Sequence, residues 1–334
     1  MERNGHKGDA MRLLSEASSV TVVALLVVAT VGCSGFGQLQ ARKNLKEGNQ
    51  AYAQQDYKTA AEKYERCVQA APDDPNIATA YFYLGNSYDN LYKPSRKGEA
   101  ANDELLNKAV QNYQTAAEKL AKSENNEFKK IGKLSLEYLV AAYGSEKLND
   151  PAKAEPVVQR MITLDPGDTA NYFALAKIYE DAGAYENAED ILLKAKEARP
   201  NDPAVYMTLA GYYNRQGQFD KTITALEERA VKEPNNPEAH YTIATFYWDK
   251  AFRDIHLKEA EKKDYVSKGL VEIDKSLNIK SDYIEALVYK GLLLRLQANQ
   301  EKDVAKQQAL IKEATTLRDK AEDLRKKKAS GVGD

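Results

Sequence analysis

The sequence predicts an all-α fold, a solenoid of helix-turn-helix pairs behind an apolar leader, and three observations predict it. Glycine (18) and proline (10) are few among 334 residues and sit at punctuation points, so little interrupts helix formation. Residues 169–202, TANYFALAKIYEDAGAYENAEDILLKAKEARPND, and 203–236, PAVYMTLAGYYNRQGQFDKTITALEERAVKEPNN, align without a gap at a spacing of 34, the mark of a stacked repeat. Finally, no charged residue occurs between Glu16 and Arg42, which sets the start of the chain apart from the rest.

The leader comes first. Its apolar core, Val20 to Val31, is interrupted only by Thr21 and Thr30. Spanning a membrane takes about 20 apolar residues, whereas a signal-peptide core takes about 7–15, so the run belongs to the shorter class. Gly32 precedes Cys33, and Ser34 and Gly35 follow it. This arrangement resembles the lipobox of bacterial lipoproteins, in which a signal peptidase cuts before a Cys that then carries lipid. The match is partial: Thr30 stands where Leu is commonest, and Arg12 is partly offset by Glu16. Met11 is the more natural start, since it leaves a short Arg-bearing segment ahead of the core. The resemblance implies a signal peptide over 1–32, lipid on Cys33, and a linker over 33–40. An uncleaved transmembrane anchor and a cytosolic protein stay open as alternatives. Ser34 fits the sorting rule by which many Gram-negative bacteria send Cys-Ser chains to the outer membrane.

The repeat follows. Tyr172 and Tyr206 hold position 4 of each copy, Leu175 and Leu209 position 7, Ala176 and Ala210 position 8, and Tyr179 and Tyr213 position 11. Gly183 and Gly217 occupy the turn, Tyr185 and Phe219 follow it, Leu192 and Leu226 hold position 24, and Pro200 and Pro234 end the second helix. Small residues let the two helices of a pair approach, and large ones fill the space between pairs. Proline stops the second helix because its ring cannot continue the hydrogen-bond ladder. The same register recovers Gly48, Tyr57, Ala60, Tyr64, Cys67 and Pro72 in a first copy, and Tyr81, Leu84, Gly85 and Tyr88 in a second whose other helix is displaced to Ala109, Tyr113 and Ala116. A third uses Leu139, Tyr143, Ala154, Val158 and Pro166; a sixth begins PEAHYTIATFYW, and a seventh begins IEALVYKGLLL. Cys67 reads as a small packing residue. Arg229 breaks the pattern at position 27, where a small side chain is usual, so packing there must shift or the Arg stem must snorkel outward.

This pattern is similar to that of the tetratricopeptide repeat (TPR) family, over roughly residues 41–325. The resemblance implies a right-handed TPR solenoid of about six to seven repeats, over 41–300. Insertions near 89–107 and 250–267 lengthen two connections, and both look helical. A charged capping helix and tail would occupy 301–334, where LRDKAEDLRKKK alternates in sign and then turns basic; a solenoid end needs a polar outer face.

The family also implies a concave groove lined by the first helix of each repeat, taking a protein or peptide partner. Carried over residue by residue, its positions are Leu45, Asn49 and Tyr52, then Phe82, Asn86 and Asp89. The fourth repeat contributes Phe173, Lys177 and Glu180, the fifth Met207, Asn214 and Arg215, and the sixth Tyr241, Thr245, Trp248 and Asp249. Aromatic anchors ringed by polar groups are what binding hot spots look like, and Trp248, the chain's one Trp, is the first choice. Each of these side chains can equally pack on a neighbouring helix. Leu45 stands where the chaperone-binding members carry Lys, so that clamp is rejected.

Charge and motifs exclude other classes. A net charge of −2 gives no electrostatic reason to bind nucleic acid. No HExxH, CxxC or Gly-rich phosphate loop occurs, His6 falls in the expected signal region, and His240 and His256 read as ordinary solvated or packing side chains, so neither enzyme chemistry nor a metal or cofactor is expected. The expected function is a non-enzymatic scaffold or adaptor lipoprotein of the cell envelope, facing the periplasm. A structural spacer with an empty groove, or an accessory subunit of a pilus, secretion or peptidoglycan-active complex, are the alternatives.

Overall fold

The computed structural model describes residues 35–331. Among them the secondary structure is entirely helical, and the chain divides into two compact units at Asp165/Pro166. Each follows the expected pairing of a first (A) and second (B) helix.

The first unit contains α1 (35–53), α2 (Tyr57–Ala70), α3 (Thr79–Leu91), α4 (Ala100–Leu120), α5 (Asn126–Tyr143) and α6 (Pro151–Leu164), with single 3-10 turns at Pro75–Ile77 and Pro94–Arg96. Residues 35–40, expected as part of a linker, are instead the opening turns of α1. Helix starts are set by side chains that accept otherwise unpaired N–H groups. Asp56 takes the Thr59 amide, Asn125 those of Glu127 and Phe128, and Asp150 that of Lys153, followed by Pro151 at the first helical position. Tyr64, Tyr113, Leu106, Leu120, Leu136 and Leu139 are sealed from solvent, each such side chain contributing roughly 1.5–3 kcal/mol of burial. Cys67 joins them at 0 % exposure, and burial pushes its thiol up to about 11, as expected of a packing residue rather than a reactive one. The insertion near 89–107 becomes the 3-10 turn and the first turns of a 21-residue α4.

The second unit contains α7 (Thr169–Asp181), α8 (Tyr185–Ala198), α9 (Pro203–Arg215), α10 (Phe219–Lys232), α11 (Pro237–Arg253), α12 (Glu259–Ile279), α13 (Ile284–Gln300) and α14 (Val304–Ala329). The 34-residue period is visible in the caps: Asp168, Asp202 and Asn236 each accept an amide two residues on, from Ala170, Ala204 and Glu238. Gly183 and Gly217 have φ of +74° and +70°, the left-handed turn that lets the B helix fold back and that a Cβ disfavours. Tyr172 and Tyr206 donate their hydroxyls to the Pro166 and Pro200 carbonyls at 3.1 and 2.6 Å. Position 4 is thus Tyr because the phenol both fills space and ties each repeat to the preceding turn. The second insertion extends α11 and the start of α12 around a short loop, and the charged C-terminal helix α14 packs on α13 through Ala314 and Ala321.

Of the two courses expected of Arg229, a shift of packing or an outward stem, the structure shows the first. Arg229 is 6 % exposed, and its guanidinium lies on Glu233 at 2.6 Å and Glu238 at 3.6 Å, with Nη1 3.0 Å from the Met207 sulfur. Two carboxylates within reach make inward burial tolerable where a small residue would ordinarily sit.

Candidate functional site

In the first unit the A helices α1, α3 and α5, the start of α2 and the α5–α6 loop bring together a polar cavity of about 370 Å³ lined by Tyr52, Tyr57, Asn86, Asp89, Asn90, Tyr138 and Lys147. Its floor is one face of α3, because residues three and four apart on a helix are neighbours. Asn86, 4 % exposed, accepts the Tyr52 hydroxyl at 2.6 Å and an Asn90 amide N–H at 2.9 Å, and gives its own N–H to Tyr113 at 3.3 Å. The Tyr113 hydroxyl in turn donates to Asp89 Oδ2 at 3.3 Å, while Lys147 ion-pairs with Oδ1. Burial pushes the Tyr52 phenol up to about 12 and the Tyr113 phenol further still, so both stay protonated hydroxyls.

The predicted groove residues of this unit part ways. Asn49 is exposed and accepts the Tyr64 hydroxyl at 2.8 Å. Tyr52 and Asn86 line the cavity. Phe82, expected as an open anchor, is 4 % exposed within a ring cluster formed with Tyr83, Tyr113 and Tyr138; it is a packing residue, because the next A helix lies against it. Tyr57, Asn90, Tyr138 and Lys147 were missed. Asn90 was legible as the residue four after Asn86. Lys147 was not, since it comes from the α5–α6 loop, folded by bonds from the Leu148, Asn149 and Asp150 amides back to Ala142, Gly144 and Tyr143.

In the second unit Phe173 is half-buried, and exposed Lys177 pairs with Asp181. Exposed Arg215 forks onto Glu180 at 2.7 and 2.9 Å, one repeat back, and holds that carboxyl below its ordinary range. Met207 is 38 % exposed. Half-buried Tyr241 packs edge-on to Tyr283 and Tyr289, at 5.3 and 5.4 Å between centroids. Trp248 stacks on Phe252 at 4.9 Å and meets Tyr289 edge-on at 5.5 Å. Phe252 is itself 56 % exposed, with Asp249–Arg253 and Lys250–Asp254 ion pairs around it. His240, read as an ordinary side chain, makes a 2.7 Å hydrogen bond with Glu272, which Lys275 also engages.

Comparison with known proteins identifies these helix pairs. A family model described as tetratricopeptide repeat matches residues 147–211, and another of the same description matches 45–118. The chain carries tetratricopeptide repeats in both matched segments. Solved structures with a likeness to it include a tetratricopeptide repeat protein from Parabacteroides merdae, 13 % identical over 83 % of this chain and 99 % of that one, with a TM-score of 0.42. The C-terminal part of a TPR repeat-containing protein from Cytophaga hutchinsonii is 18 % identical over 84 % and 98 %, with a TM-score of 0.45. A MamA structure is 20 % identical over 55 % of this chain and 92 % of that one, with a TM-score of 0.37. None of the curated proteins matches. Tetratricopeptide repeats are protein–protein interaction scaffolds, and that is the general class of this chain.

The apolar run Val20–Val31 and Cys33 lie outside the described residues. Among the described residues, no helix is long and apolar enough to cross a membrane.

Proposed function

We propose that the chain is a cell-envelope adaptor, fastened to a membrane through the segment around Cys33 and displaying its tetratricopeptide repeats to the periplasm. The apolar run and the lipobox-like Cys33 support the anchor. The partner is a protein or peptide segment held on the A-helix face of the second unit. The observation that carries this reading is the Trp248–Phe252 stack, left partly open beside ion-paired Asp249, Lys250, Arg253 and Asp254. An aromatic centre with a charged rim is the anatomy of an interaction hot spot.

The test is cross-linking in cells and capture from solubilised envelopes, comparing wild type with a Trp248→Ala plus Phe252→Ala variant of unchanged helicity. A partner captured by wild type and lost in the variant supports the adaptor; one retained by both sinks this face as the contact. Cys33→Ala tests the anchor separately. It is expected to leave an unprocessed, unlipidated precursor, and normal processing in that variant would overturn the lipid reading without touching the other.

A further inference from the structure

We propose that the cavity of the first unit is a saccharide site, taking a neutral, hydroxyl-rich ligand against Tyr57, Asn90, Tyr138 and Lys147. The argument starts from charge. Asp89 and Lys147 neutralise each other, and the Asp89 side chain is only 7 % exposed, held by Lys147 on one oxygen and Tyr113 on the other. A charged ligand would have to break that pair to find a counter-charge, and a desolvated charge left without its partner is costly.

The remaining hydrogen-bonding capacity is mixed. Both amide hydrogens of Asn90 are committed to Asn86, at 2.8 Å to its carbonyl and 2.9 Å to its side chain, which leaves Asn90 Oδ1 as an acceptor. Tyr52 spends its hydrogen on Asn86 and keeps an acceptor oxygen. Lys147 has donors beyond the one on Asp89, and the phenols of Tyr57 and Tyr138 can give or take. A sugar hydroxyl, itself both donor and acceptor, satisfies each of these. An apolar peptide anchor satisfies none, because hot-spot anchors need a desolvated apolar pocket.

The walls are also set in place before any ligand arrives. Tyr57 is braced edge-on by Tyr52 at 5.6 Å, and Tyr138 edge-on by Phe82 at 5.5 Å and by the tilted ring of Tyr113 at 5.3 Å. Walls fixed in advance let a ligand bind without the entropic cost of ordering them. The volume, about 370 Å³, lies within the range of small-molecule sites, roughly 300–1,000 Å³. This site is independent of the adaptor reading, which concerns the second unit.

Isothermal titration calorimetry on the full chain, in a detergent without a sugar headgroup, tests it. The probes are chitotetraose, cellotetraose and maltotetraose, with pentaalanine as the peptide. At least one saccharide should bind and pentaalanine should not, and Asn90→Ala and Tyr57→Phe should each weaken binding about tenfold with helicity unchanged. Three results overturn the proposal: no saccharide binding at millimolar concentration, saccharide binding indifferent to both substitutions, or pentaalanine binding that depends on Asn90.

Discussion

The hydroxyl of Tyr52 donates to the side-chain oxygen of Asn86 at 2.6 Å, across one full repeat of 34 residues. This bond ties the first A helix to the second, and its two ends are unequal. Tyr52→Phe removes one donor, and Asn86 keeps the Asn90 amide on the same oxygen, so the expected loss is ~1 kcal/mol. Asn86→Leu strips a partner from Tyr52, Asn90 and the buried Tyr113 together, so the expected loss is about 2–3 kcal/mol. Denaturant unfolding followed through amide exchange of α1 and α3 checks the order of the two.

Arg229 offers a contrast between size and charge. Arg229→Met keeps the buried stem and removes the guanidinium, so stability should stay within ~1 kcal/mol of wild type. Arg229→Ala leaves a void under Met207 as well and should cost about 2 kcal/mol. Thermal midpoints of the two variants decide; a larger loss for Met than for Ala would contradict the packing account.

Gly132 faces the backbone of the preceding helix: a Cβ there would lie 2.2 Å from the Ala121 nitrogen and 2.4 Å from the Leu120 carbonyl carbon. Backbone cannot yield as a side-chain tip can, so Gly132→Ala should cost about 3 kcal/mol or more. Gly183→Ala has open space but φ of +74°, and should cost only about 1 kcal/mol. Circular dichroism melts of both variants check the ranking.

Alkali should unfold the chain through its phenols. Burial raises Tyr52, Tyr241 and Tyr247 from 10.0 to about 12, so between those values the unfolded chain holds fewer protons than the folded one. Their contribution is therefore fully present below about pH 10 and falls away as pH rises toward 12. Phenolate absorbance should rise together with loss of helicity; full ionisation of these phenols at intact helicity would refute the burial argument.

The repeat register was legible because it is written in volume. Tyr206, Leu209, Ala210 and Leu226 are all buried at 2 % or less, where a change of size is felt directly. The candidate site was less legible, because a groove position says where a side chain starts and not what the next A helix does to it. Phe82 is covered and Met207 is open, yet both come from the same family position scheme. Lys147 reaches Asp89 over 58 residues from a loop that no helical period describes. Arg229 turned inward because Glu233 and Glu238 wait for it, one capping the end of its own helix and one beyond the turn.

The seclusion of Cys67 gives the first unit a built-in clock. A thiol at 0 % exposure with its ionisation pushed to about 11 reacts with an alkylating probe only when α2 lifts away from its neighbours. The rate of its modification therefore counts openings of the first repeat, and a ligand that tightens that repeat would slow the clock without having to be seen itself.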